Sequence, residues 1–488
     1  MKSRLMLSML LSGAVVVVAQ ENYSSWSQHK PLYLNASTVG VTSNVRKFPV
    51  LVRLDSSNFS AGFSQTLHGG IDIRFTKTGD AIRLPHQIDR WDSAKKSALV
   101  WVLADTIYGG TNNQSLRMHW GKTGAADSSN GKTVFDTGAG FQAVFHFNEA
   151  TGDTARDATP NGFKASPRTQ GTAGRMPEDT LGALGRAKHF NGNTGTTAAG
   201  GYYQIENSAS GALNFPMDGP YTLSAWVQVD TLQAQNQYRI IVSKSDLQYN
   251  LMKNNSTSGQ WEFNPYVTSP TQGWERTLQS PVTQHAWQHL VGVRYGNGVD
   301  SLFLDGVANT TASSTTTSNT TRNETYNVWI GRRGDPGTST TATNNRMWLG
   351  SIDELRLANV ARGSDWVKLE FANQKPAQTL VTFDAPTAIT PHASNAFQGL
   401  FSARRLGNGM VFEAPGRSSR ASISVYDLRG FKVWGESVDL RNTRRIFWNG
   451  NSVRGLKASN GIYAARLVLL DAQNRTEQTQ EISFAFLH

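Results

Sequence analysis

Cysteine is absent from the chain. That excludes disulfides, thiolate catalysis, cysteine-ligated zinc and a lipid-modified N-terminal cysteine. A chain without cross-links stands on its hydrophobic core alone, and 488 residues are enough for two or three domains. Long helical periodicities are also nearly absent. No apolar run after the first 19 residues is long enough to cross a bilayer. There is no Gly-x-Ser-x-Gly elbow, phosphate loop or nucleotide fingerprint, which removes the main sequence signals for serine hydrolases and nucleotide enzymes.

What is present begins with a secretory signal over residues 1–19. Lys2 and Arg4 form its positive end, Leu5 to Val18 its apolar core, and Val17-Val18-Ala19 a small-residue cleavage site. The mature chain is therefore expected to be secreted or held at the cell surface, with no transmembrane segment once the signal is removed. The Asn-x-Ser/Thr triplets at Asn22, Asn35, Asn58, Asn309 and Asn323 arise by chance in so Thr- and Asn-rich a chain and carry no weight. The net charge of +11 is uneven: 13 Lys or Arg face 7 Asp or Glu between Pro391 and His488. On an exported protein such a surface suits acidic envelope or surface polymers rather than nucleic acid. A solvated basic face with no dedicated partner reads the same way.

Short runs rich in Val, Ile, Phe, Tyr and Trp alternate with Gly, Asn, Asp, Ser and Thr clusters throughout. This is the pattern of all-β sandwiches, so the fold class is all-β, with β-sandwich domains in series. The first domain is placed at 20–138. Phe48-Pro49-Val50-Leu51-Val52-Arg53-Leu54, Gly70-Ile71-Asp72-Ile73-Arg74-Phe75, Asp89-Arg90-Trp91-Asp92 and Trp120-Gly121 follow one another in order. This series resembles the domain-of-unknown-function family numbered 2341.

The second domain is placed at 139–385. Val144-Phe145-His146-Phe147-Asn148-Glu149, then Asp157 to Gly162, open it, and Gly350-Ser351-Ile352-Asp353-Glu354-Leu355-Arg356-Leu357 closes it. These runs resemble laminin-G-like, concanavalin A-type jelly rolls. Within them Leu302 and Leu304 should face one way and Phe303 the other, with Asp305-Gly306 making a hairpin turn. Gly350 marks a bulge or tight bend. Two Ser/Thr/Asn tracts, 310–325 and 338–345, are expected to be long loops. A linker at 386–398 leads to a third domain at 399–488. Val425 to Gly430, Trp448-Asn449-Gly450-Asn451 and Asn460-Gly461-Ile462-Tyr463 are similar to the small Ig-like sandwiches that end exported bacterial proteins, of the hook-capping or secretion-tail kind. Such a tail implies contacts with envelope or secretion-machinery components.

The concanavalin A-like resemblance also brings retaining glycosidases into view. These need two carboxylates about 5 Å apart on one strand face, commonly as Glu-x-Asp-x-x-Glu. The chain has no such triplet. Asp353 and Glu354 are adjacent, so on a regular strand they point to opposite faces. Asp89 and Asp92 read as a solvated strand end, and His289 as a hydrogen-bonded histidine beside the core. No catalytic residue is assigned, and the chain is expected not to be an enzyme.

The resemblance further implies a calcium site near the sandwich rim, since calcium takes six to eight oxygen ligands. Asp157 and Asp353, with carbonyls near Asn161, are its candidate ligands. In the alternative, Asp157 caps a turn and Asp353 pairs with Arg356 or Arg332. For a sugar, loop aromatics that stack on pyranose faces are sought, and Trp261, Tyr266 and Trp274 lie in a stretch rich in Asn, Gln and Thr. Trp226, Trp287 and Trp348 fall in strand patterns and read as core. The expectation is a non-catalytic protein that binds a polysaccharide or cell-surface glycan. The rival reading is an adhesive component contacting proteins, and a third is an accessory polysaccharide-degrading enzyme.

Overall fold

The computed structural model describes residues 21–383 and 401–486, less 80–81, 193–198, 209, 217–218, 233–237, 245–247, 256–258, 268–272, 275–276, 280, 297–298, 313–325, 334–345, 407–408, 415–419, 428–431, 442–443, 454 and 471–475. The signal segment, the linker and most of both Ser/Thr/Asn tracts lie outside the described residues. The fold is all-β, as the alternation of short apolar runs and turn clusters dictates. It divides into two compact units, Met1–Pro386 and Thr387–His488.

The first unit begins with two small sheets. One orders Val381–Thr382, Gln28–Leu34, Gln114–Trp120, Arg74–Lys77 and Arg83–Leu84; the other orders Val45–Leu54, Ser97–Ile107 and His86–Asp92. The remaining strands form a jelly roll of two larger sheets. Its eight-stranded sheet is centred on Leu349–Ala358, flanked by Tyr221–Val229 on one side and by Arg186–Asn191 and Phe141–Phe145 on the other. Its nine-stranded sheet includes, side by side, Gly200–Ile205, Val328–Ile330, Arg239–Lys244, Tyr249–Lys253 and Trp261–Val267.

Alternation decides which face each residue serves. Leu302 and Leu304 enter the core between the two large sheets, while Phe303 enters the core shared with the first two small sheets. Asp305 (φ 51°) and Gly306 (φ 83°) make the two-residue turn joining Leu304 to Val307, the type I′ geometry that right-handed strand twist favours. Gly350 has φ 138°, and a Cβ there would collide with the Gln228 carbonyl.

The boundary expected at residue 138 falls inside one continuous core. Val50, Trp101 and Phe135 from the first segment pack in a single cluster with Trp226, Val291, Val293 and Trp366 of the second. The helix Ser364–Gln374 fastens the two together. Asn373 accepts from Leu51 N at 2.6 Å and donates to Leu51 O at 2.9 Å. Arg53 donates to the Asn373 and Gln374 carbonyls, and Trp226 Nε1 donates to Gln374 Oε1 at 2.8 Å. Beyond the helix, Leu34 pairs with Val381, so the chain returns to the sheet where it began.

The second unit is a small two-sheet sandwich. Ser402–Leu406, Gly409–Glu413 and Arg445–Trp448 form one sheet; Lys432–Asp439, Arg420–Asp427, Gly461–Leu470 and Thr476–Phe486 form the other. Trp448 is fully buried between Tyr463, Phe484 and Phe486.

Candidate functional site

The aromatic residues expected in a loop are strand residues. Trp261 and Tyr266 belong to Trp261–Val267, and Trp274 to the short strand Gly273–Trp274 paired with it. Trp261 is fully buried and lies 6.2 Å from Trp348, ring to ring. Tyr266 is also buried. The polar residues around Trp261 suggested a loop because they alternate with apolar ones. That alternation is instead the period of a strand with one face toward the core.

The other face of the same sheet carries a row that sequence reasoning missed. The register places Gln204 beside Trp329, Trp329 beside Ser243, Ser243 beside Asn250, and Asn250 beside Asn264. Their strand neighbours Tyr203, Ile330, Val242, Leu251 and Phe263 form the core row on the opposite face. Gln204 is half-buried and the other four are buried. The Oδ1 atoms of Asn250 and Asn264 accept no hydrogen bond, which is unusual for buried amides. Tyr202 and Met347 pack against Trp329, and the Arg332 guanidinium lies 4.9 Å from the Tyr202 ring centre. Amides and aromatic rings together suit a ligand with hydroxyls on its edges and C–H groups on its faces. The signal available in the sequence was the alternation Tyr249-Asn250-Leu251 and Phe263-Asn264-Pro265.

The residues expected to hold calcium are otherwise engaged. Asp157 accepts from the N–H groups of Val144, Thr159 and Phe163 and from the Thr159 hydroxyl. Its carboxyl is raised by burial, with those bonds opposing. It organises the loop after the opening strand, as in the turn-capping alternative. Asn161 Nδ2 donates to the Gln142 carbonyl at 2.8 Å. Asp353 is fully buried, with Oδ2 accepting from Leu184 N at 2.8 Å. Arg356 does not serve it: its two Nη atoms go to Glu354 Oε2 (2.8 Å) and Glu370 Oε1 (3.0 Å).

The opposite-face argument for Asp353 and Glu354 also fails locally. Ser224 pairs with Arg356 but Trp226 with Asp353, so the closing strand carries an extra residue at this point. Glu354 has φ 48°, and the bulge brings both carboxylates into one buried network. Glu354 Oε1 lies 2.7 Å from His146 Nδ1. The His146 ring stacks on Trp101 at 5.8 Å and meets Phe135 edge-on at 5.3 Å. Asp89 is a bulge residue too, between Ile88 and Arg90, and it accepts from Asn148 Nδ2 at 2.6 Å. It is half-buried rather than part of a solvated strand end.

The electrostatics follow from burial and proximity. Burial lifts the Asp89 carboxyl to about 6. Burial pulls His146 down, but Glu354 and Asp89 outweigh it and hold the imidazole at about 9. Burial would raise Glu354, yet His146 and Arg356 keep it below the ordinary carboxylate range. Asp353, buried beside Glu354, is pushed well above it. A cleft of about 370 Å³, lined by Gln87, Asn130, Lys132, Asn148, Glu149 and Arg156 among others, reaches His146. His289 is a separate case. It is buried against Trp226 and Phe371, its Nδ1 has no hydrogen-bond partner, and burial lowers it to about 4.

Residues 197–368 match the family model described as the concanavalin A-like lectin/glucanases superfamily. Residues 69–159 match the model of a domain of unknown function, DUF2341. The second match starts later than the expected first domain and runs past it, so it contains both Asp89 and His146. No curated protein matches the chain. Among solved structures, the botulinum neurotoxin serotype D binding domain is similar over 48% of this chain and 51% of that one, at 9% identity and a TM-score of 0.34. The binding domain of Paraclostridial Mosquitocidal Protein 1 is similar over 67% and 75%, at 9% identity and a TM-score of 0.34. The chain thus spans about half the length of the first of these structures. No helix of the described residues is long and apolar enough to cross a membrane.

Proposed function

We propose that the chain is an exported, non-catalytic recognition protein that binds a polysaccharide or cell-surface glycan on the outer face of the nine-stranded sheet. The observation that carries this reading is the row Gln204, Trp329, Ser243, Asn250 and Asn264, which runs from an aromatic cluster at Trp329 to two buried amide oxygens left unpaired. An unpaired buried amide costs stability; sugar hydroxyls would supply the missing donors. The row lies within the segment that matches the lectin/glucanase superfamily, and Gln204 at its end is half-exposed. In the same reading the arginine-rich C-terminal unit makes attachment or export contacts through side chains such as Arg441 and Arg445, which project to solvent.

The test is retention of the full chain on a panel of soluble and insoluble polysaccharides, in calcium and in EDTA. Wild type is expected to be retained on one polymer class. Asn250→Ala and Asn264→Ala should lose retention with an unchanged melting temperature. Retention unaffected by both substitutions would exclude this face. Retention on no polymer, with capture of envelope proteins instead, would favour the adhesive role.

A further inference from the structure

We propose that Asp89, His146 and Glu354 form a binding site for a divalent transition-metal ion of the zinc type, open to the cleft beside them. Each residue offers one ligand atom, and these atoms all lie within 4.8 Å of one another. Three strand irregularities bring them there. Asp89 sits on the bulge in His86–Asp92, and Glu354 on the bulge in Leu349–Ala358 with φ 48°. His146 follows the end of Phe141–Phe145 and precedes Phe147, whose φ is 56°. Bulges re-aim side chains, and a non-glycine residue in the left-handed region costs energy that the surrounding structure must offset. Here two such residues flank or belong to one cluster.

A second observation points the same way. Asp353 Oδ1 is fully buried next to the cluster and accepts no hydrogen bond. Arg356 already neutralises part of the charge on Glu370 and Glu354, and Asp89 adds a further carboxylate for the ion. An imidazole with two carboxylates is a borderline donor set, matched to zinc, manganese or iron rather than to calcium, which prefers oxygen alone. Three protein ligands leave a coordination position free, and the cleft that reaches His146 is the path by which an ion enters. Trp101 and Phe135 hold the ring in place.

This inference does not depend on glycan binding, because Asn250 and Asn264 lie on the other large sheet. Its test is calorimetric titration of ZnCl₂ into the full chain after EDTA treatment and dialysis, alongside thermal unfolding. Wild type should bind one equivalent and melt at a higher temperature with zinc. Asp89→Asn should weaken that binding by about tenfold or more, and it should fold because Asp89 is half-buried. His146→Gln should do the same; if it fails to fold, Asp89→Asn still decides. Absence of both heat and melting shift in wild type would overturn the site and leave the cluster as an ion-paired clamp. Equal zinc affinity in wild type and Asp89→Asn would also overturn it, by placing the ion elsewhere.

Discussion

The two faces of the eight-stranded sheet solve burial in opposite ways. Its inner face is mainly apolar, with Leu223, Ala225, Val227, Leu290, Leu355 and Leu357 meeting the nine-stranded sheet, and it carries one local ion pair, Arg294 with Asp300, in register with Leu290 and Leu302. Its outer face is buried as deeply but carries Arg356, Asp353, Glu354 and His289 beside Trp226, Val291 and Val293. Around its leucines the inner face needs only shape. The outer face also needs partners for every charge, and these come from elements distant in sequence: His146, Glu370 of the terminal helix, and the rings of Trp101 and Phe135. A sheet face that meets another module can therefore gather a charge network from several elements, whereas the inner face keeps a local pair from two adjacent strands.

The largest break in this contrast should come from Arg356→Met. It leaves Glu354 and Glu370 buried without their shared cation, and a loss of about 3–5 kcal/mol is expected in denaturant unfolding. A loss below 1 kcal/mol, roughly that of an exposed pair, would mean that water reaches the network. On the inner face, Leu357→Ala should cost about 2–5 kcal/mol through a cavity alone, and the loss should be independent of salt.

Acid sharpens the comparison further, because His289 on the outer face is held neutral by burial, at about 4 against an ordinary 6.5. The unfolded chain takes up this proton below pH 6.5, whereas the folded chain takes it up only near 4. Stability should therefore fall as the pH drops through that window, by at most about 1.4 kcal/mol per pH unit from this group. His289→Leu should flatten the slope of a melting-temperature profile between those limits and leave the value at pH 8 close to wild type. An unchanged slope would remove His289 as its source. The smallest effect belongs to Asn250→Ala on the other sheet. Its Oδ1 has no partner to lose, so the melting temperature should hold or rise slightly; a marked fall would show that the amide is structural.

Much of the strand pattern was legible from the chain. Leu302, Phe303 and Leu304 alternate between two cores as their spacing predicts, and Asp305-Gly306 turns between them. Gly350 marked a tight place correctly. The site residues were not legible in the same way. Trp261 looked like a loop aromatic because its polar neighbours Glu262 and Asn264 lie on the second face of a strand whose two faces are both buried. Asp89 and Glu354 were assigned by regular alternation, and each lies on a bulge. A bulge depends on what the neighbouring strand requires, and one chain segment does not record that.

The sequence by itself determined an all-β chain, its missing cysteine chemistry, its strand periods and the two family matches, because these depend on neighbours two or four residues apart. Only the tertiary structure decided that the first two segments share one core, that Val381 returns to pair with Leu34, and that Asp89, His146 and Glu354 converge. Those contacts join positions up to 347 residues apart. They form because the outer face of the closing sheet buries its apolar residues only when the first segment and the terminal helix cover it.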